Sequence, residues 1–147
     1  MMPAADTAVL MLTIPNRIAE LPAEMDVVEE FLAAHAVVPG DTMQVMIMLD
    51  EIASNIIKAA WPDDEDHVFE ITLTIEPGGR LLLMASDDGV AFDPTRSGPP
   101  DLDTDLEDRE VGGLGLFIVG EMSDSMEYSR SEGRNRLLVA KQLIVPC

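Results

Sequence analysis

Apolar positions recur along the chain with two periods, and the switches between them outline the elements. Ala8 to Ile14 is a short apolar, β-branched run closed by Pro15, which predicts a first strand. From Ile18 the positions Leu21, Met25, Val28 and Leu32 recur at intervals of three and four, predicting a helix to about Ala36 despite Pro22 near its start. Pro39-Gly40 interrupts it. Asp41 with Gln44 three residues on then reads as a capping box for a second helix, which Trp61-Pro62 stops. Two strands, Val68 to Glu76 and Arg80 to Asp87, meet at a hairpin turn over Pro77-Gly78-Gly79.

The stretch from Asp93 to Arg109 carries Pro94, Pro99, Pro100 and the acidic residues Asp93, Asp101, Asp103, Asp105, Glu107 and Asp108, and it predicts no element. Loops of that length in a compact domain are commonly lids or disordered segments. A third helix is expected from near Gly115 through Met122. Two closing strands, about Asp124 to Ser131 and Arg136 to Val145, flank the turn Glu132-Gly133-Arg134. Hairpins dominate, without regular βαβ alternation. The expected fold class is α+β, a two-layer sandwich with helices on one face of a mixed, mostly antiparallel sheet.

Length and composition add bounds. A chain of 147 residues with 47% apolar content can build one core without metal or disulfide staples, so a single domain over residues 1–147 is expected. Cys147 has no intrachain partner, which suits a reducing compartment. No Lys or Arg precedes the apolar Val9 to Leu12, unlike a secretory signal, and no run approaches the ~20 residues of a membrane span. A cytoplasmic protein is expected. Nine basic against 28 acidic residues give a net charge of −19, which argues against nucleic acid or an anionic membrane as partner. The same charge opposes any phosphate ligand unless backbone N–H groups, a helix N-terminus and a divalent cation compensate locally.

Three constellations carry candidate chemistry. On the second helix, the ~100° advance per residue puts Leu49, Ile52, Ala53, Ile56, Ile57 and Ala60 on one apolar face and Glu51, Asn55 and Lys58 together on the opposite side. Any amphipathic helix has a polar face. A carboxylate one turn from an amide oxygen can also activate a nucleophile beside a magnesium ion held by the amide. The strand from Leu81 runs into Asp87-Asp88-Gly89-Val90-Ala91-Phe92: a buried Asp there can accept a purine amino N–H, and Gly89 would let the backbone approach the ring, although Asp-Gly is also a common turn. In Gly112-Gly113-Leu114-Gly115-Leu116, glycines open an apolar helix and expose N–H groups to phosphate, or simply make a tight turn. Neither a Walker loop nor a dinucleotide fingerprint is present.

Glu51-x-x-x-Asn55, Asp87-x-Gly89-x-Ala91-Phe92 and Gly113-Leu114-Gly115-Leu116 follow one another in the order and rough spacing of the N, G1 and G2 boxes of Bergerat-fold (GHKL) ATPases. The chain resembles the small bacterial anti-sigma-factor serine/threonine kinases of that superfamily, from Leu12-Thr13-Ile14-Pro15 to the last strand. The resemblance implies ATP and Mg2+ as ligands, with Glu51 as general base, Asn55 as magnesium ligand and Asp87 as acceptor for the adenine amino group. Gly89 and Ala91 would floor the base pocket beside Phe92, and Lys58 would join the nucleotide site. Gly112, Gly113, Leu114, Gly115 and Leu116 would meet the phosphates, and residues 93–111 would form the lid, with Arg109 a phosphate contact. Four positions depart from the family pattern: Ala91 and Val111 stand where glycines are common, Ala59 where some relatives have His, and Asn135 where Thr is frequent.

The implied function is a serine/threonine protein kinase acting on a STAS-type anti-sigma-factor antagonist. A sigma factor would be a second partner, and the apolar stripe of the first helix would serve either a homodimer, as in relatives, or equally well the packing of the core. The alternative is a catalytically silent, nucleotide-dependent partner-switching module. His35 and His67 read as surface residues.

Overall fold

The computed structural model describes residues 6–96 and 113–144. In chain order they form strand β1 (Ala8–Pro15), a 3-10 turn (Ile18–Glu20), helices α1 (Leu21–Ala34) and α2 (Pro39–Ala59), strands β2 (Val68–Ile75) and β3 (Arg80–Asp87), a 3-10 turn (Pro94–Arg96), helix α3 (Gly113–Met122), and strands β4 (Ser125–Ser131) and β5 (Arg134–Gln142). The sheet order is β1-β2-β3-β5-β4, and each neighbouring pair is antiparallel. The architecture is the expected α+β sandwich, with antiparallel pairing throughout these five strands. No described helix is long and apolar enough to cross a membrane.

The period of two along the strands builds the core. Phe69, Ile71 and Leu73 of β2, Leu81, Leu83 and Ala85 of β3, and Leu137 and Val139 of β5 share the inward face with Ile14 of β1. They pack on Val28 and Leu32 of α1 and on Val45, Met48, Leu49 and Ile52 of α2. Truncating a fully buried side chain such as Phe69 in such a core costs about 3–5 kcal/mol.

The element boundaries differ from the sequence reading at several places: a 3-10 turn at Pro94–Arg96 lies where no element was expected, α3 starts at Gly113 rather than Gly115, β5 ends at Gln142, and three further differences bear on the site. Residues Ile18–Glu20 form a 3-10 turn, and α1 starts at Leu21 with Pro22 in its first turn, where a missing N–H loses no helical bond. Helix α2 begins at Pro39, after Val38 in extended conformation, rather than at a capping box on Asp41. The Asp41 carboxylate is 7% exposed and accepts the backbone N–H of Ile144 at 2.7 Å, fastening the chain beyond β5 to the first turn of α2. Strand β5 begins two residues earlier than expected. Glu132 and Gly133 both adopt positive φ, 53° and 75°, and make a two-residue turn between Ser131 and Arg134. That register sets Asn135 opposite Asp87 across β3 and β5.

Most of the expected lid, residues 97–111, lies outside the described residues, as do Arg109 and Gly112.

Replacing Asp41 with Ala should lower unfolding free energy by about 1–3 kcal/mol, because the half-buried Ile144 N–H loses its acceptor. Urea denaturation checks this; an unchanged midpoint would show that the tether contributes nothing.

Candidate functional site

Asp87 is the last inward-facing position of β3, in phase with Leu81, Leu83 and Ala85, and it is 6% exposed. Its Oδ1 accepts two hydrogen bonds, from the backbone N–H of Gly89 at 2.9 Å and from Asn135 Nδ2 at 3.0 Å. Among the described residues no donor reaches Oδ2. The turn after β3 is held to the end of α2 by Val90 N–H donating to the Ala60 carbonyl at 2.8 Å. Gly89 is forced by the same approach: a Cβ there would run into the Ala60 backbone carbonyl. The glycine therefore packs the turn against α2, a contact different from the opening toward a ring that the sequence suggested.

Helix α2 forms the facing wall. Asn55 is 9% exposed, and its Oδ1 is buried with no hydrogen-bond partner among the described residues. An orphaned buried carbonyl of this kind costs about 1–3 kcal/mol unless something fills its lone pairs. The expected grouping of Glu51, Asn55 and Lys58 on one polar face does not hold. Asn55 is buried beside Ile52 and Ile56, Glu51 is half-buried against α3, and Lys58 is exposed and outside the cleft. Helix α2 touches α1, α3 and β3, so much of its circumference is covered rather than a single stripe. The Glu51 carboxylate occupies the space that a side chain on Gly115 would need, so Glu51 in this rotamer lies directly against the first turn of α3.

Between these walls lies a small cleft of about 50 Å³ that opens to solvent. Its apolar lining includes Ile52, Ile56, Phe92 and Leu116, and its polar groups are Asn55, Asp87, Tyr128 and Asn135. Of the residues chosen from sequence, Asn55, Asp87, Phe92 and Leu116 line it, while Gly89 and Gly115 pack behind its walls. Ala91 is exposed and does not line the cleft. Gly113 and Leu114 stand in the first turn of α3.

Sequence reasoning met Asn135 only as a departure from a family pattern, and it missed Tyr128 and Arg130. Asn135 Nδ2 also donates to the Val90 carbonyl at 2.8 Å, while its Oδ1 accepts from Tyr128 Oη at 2.5 Å and Arg130 Nη1 at 3.1 Å. Arg130 Nη1 reaches the Gly89 carbonyl at 2.8 Å as well. The available signal was a polar residue in phase with Leu137 and Val139, legible once the strand start is set at Arg134.

A second polar group borders the turn from outside. The Trp61 ring stacks on His67 at 4.8 Å and 6°, and its Nε1 donates to Asp88 Oδ1 at 2.9 Å. His67 Nε2 lies 2.8 Å from Asp63 Oδ2, so His67 is half-buried and paired rather than a plain surface residue. The Glu65 backbone N–H, and secondarily His67, hold the Asp63 carboxyl below its ordinary range.

The family described as "Histidine kinase-like ATPase domain" matches residues 14–141. The chain is 31% identical over 103 residues to the serine-protein kinase RsbW of Bacillus cereus (strain B4264), covering 67% of this chain and 62% of that protein. It is 31% identical over 88 residues to the serine/threonine-protein kinase BtrW of Bordetella bronchiseptica, covering 60% of this chain and 61% of that one. The chain thus spans about three fifths of the curated relatives it matches. Two solved structures share the fold. The RsbU and RsbW domains of Rv1364c from Mycobacterium tuberculosis superpose with a TM-score of 0.68 at 13% identity, over 95% of this chain and 33% of that one. The SiaB-SiaC complex from Pseudomonas aeruginosa gives 0.58 at 16% identity, over 92% and 89%. With the match spanning all three helices, strands β2 to β4 and nearly all of β5, the chain belongs to the histidine kinase-like ATPase domain family.

Proposed function

We propose that the chain binds ATP with magnesium in this cleft and acts as a serine/threonine protein kinase on an anti-sigma-factor antagonist. The observation that carries the reading is the pairing, in one apolar cleft, of a carboxylate oxygen without a donor (Asp87) and a buried amide oxygen without a partner (Asn55). In the proposal the adenine amino group donates to Asp87 Oδ2, and Ile52, Ile56 and Leu116 cover the ring. Asn55 Oδ1 suits a hard cation, which takes oxygen ligands, and magnesium there would neutralise charge on the phosphates. Backbone N–H groups at the start of α3 suit the phosphates of a ligand that the net charge of −19 otherwise repels. Glu51 does not line the cleft; from its place beside Gly115, behind the wall at the start of α3, it would take the proton of a seryl hydroxyl as its oxygen attacks the γ-phosphorus and the bond to the bridging oxygen breaks. Lys58, exposed and away from the cleft, is given no part.

The named activity of the RsbW and BtrW relatives supports the kinase reading, and the SiaB-SiaC structure supports a protein partner. A STAS-type antagonist, a sigma factor as alternate ligand, a homodimeric state and a cytoplasmic setting belong to the same proposal.

With labelled ATP, magnesium and the cognate antagonist, the wild-type protein should produce phosphoserine. Glu51→Gln should cut transfer by about 10²–10⁴-fold while ATP affinity stays within a few-fold. Undiminished transfer would remove Glu51 as base, and ATP binding without transfer by the wild type would leave a partner-switching module. Saturating ATP at about 100 times its Kd should stabilise the fold by about 2.7 kcal/mol. Asn55→Ala should weaken ATP binding about tenfold with magnesium present and little in its absence; equal losses in both titrations would exclude Asn55 as the cation ligand.

A further inference from the structure

The amide of Asn135 has no hydrogen-bonding capacity left for a ligand. Its two N–H donors go to Asp87 Oδ1 and the Val90 carbonyl, and its two acceptor sites are taken by Tyr128 and Arg130. The orientation of the amide is also forced. A guanidinium can only donate, and Arg130 Nη1 lies 3.1 Å from Oδ1; a backbone carbonyl can only accept, and that of Val90 lies 2.8 Å from Nδ2. Turning the amide over would set oxygen against the Val90 carbonyl and the Asp87 carboxylate, and nitrogen against Arg130. The remaining N–H therefore has to point at Asp87.

We infer that Asn135 is a positioning residue, locked in orientation by Arg130, that presents Asp87 to the cleft as a hydrogen-bond acceptor and thereby selects 6-aminopurine over 6-oxopurine nucleotides. The inference rests on the nucleotide reading above. Both protein donors, Asn135 Nδ2 and Gly89 N–H, act on Oδ1, so Oδ2 is the oxygen left for the base. A 6-amino group brings an N–H to that acceptor. A 6-oxo group brings lone pairs and is repelled, and an unsubstituted C6 leaves the carboxylate unmatched. Asn135 acts on the base only through Asp87. Its loss should loosen the carboxylate and let water or rotation reach Oδ1, without removing the apolar walls or the α3 N-terminus that serve any purine triphosphate.

The test is a binding titration of the full chain with ATP, inosine triphosphate and purine riboside triphosphate, with melting curves for every variant. The wild type should prefer ATP by about tenfold or more over the other two. Asn135→Ala should bring ATP to within about threefold of purine riboside triphosphate, whose own affinity stays put. Asn135→Thr, which keeps one hydroxyl donor for Asp87, should restore most of the preference. Should Asn135→Ala fail to fold, Arg130→Met, at an exposed side chain, carries the same comparison and should narrow the ratio of ATP to inosine triphosphate. Equal losses for all three nucleotides, or an unchanged ratio in the folded variants, would overturn the inference while leaving ATP binding in place. Wild-type protein that binds none of the three would overturn the nucleotide reading and the inference with it.

Discussion

A buried carboxylate at the end of β3 is the constraint around which the cleft is arranged. Taking a charge out of water is unfavourable unless hydrogen bonds replace the solvent. Asp87 receives two, both from neutral N–H groups and both on one oxygen. One comes from the turn just beyond the strand and the other from β5, so the arrangement needs a sharp turn at Gly89 and a β3-β5 register that sets Asn135 across from Asp87. The sharp turn in turn needs the closeness of Gly89 to Ala60, where a larger residue would collide with the end of α2. Val90 joins the same knot from both sides, its N–H on Ala60 and its carbonyl on Asn135.

Helix α2 answers that knot from the other wall. Ile52 and Ile56 supply apolar surface, and Asn55 between them carries the unpartnered oxygen. A buried oxygen of this kind calls for a partner, whether a water, an ion or a ligand group. Where α3 meets α2, Gly115 leaves room for the Glu51 carboxylate in its present rotamer. The strongly acidic chain thus places an apolar cleft, few uncompensated charges and the N-terminus of a helix together, the local conditions under which an anion is tolerated.

The succession of strands and helices along the chain was largely legible because each followed a clean period: the inward residues of β2 and β3 alternate without a break, and α1 repeats at three and four. The starts of α2 and β5 were not. Pro39 can serve as a helix breaker or as a first helical residue, and only packing chooses between them. The β4-β5 turn at Glu132-Gly133 requires a non-glycine residue at positive φ, which single-residue preference argues against. Asp41 looked like a cap because capping residues and tertiary acceptors are the same residue types; its partner, Ile144, lies 103 residues away.

By itself the sequence determined the fold class, the three glycine- and carboxylate-bearing segments and their order, because these rest on periodicity and on residue chemistry within a few positions. Tertiary structure decided which of those residues meet. It buried Asn55 and left Lys58 outside, since helical spacing gives angles around an axis but not which angles neighbouring elements cover. It turned Gly89 toward Ala60, and it brought Asn135 to Asp87 through a strand register, a relation between residues 48 apart that no local pattern encodes.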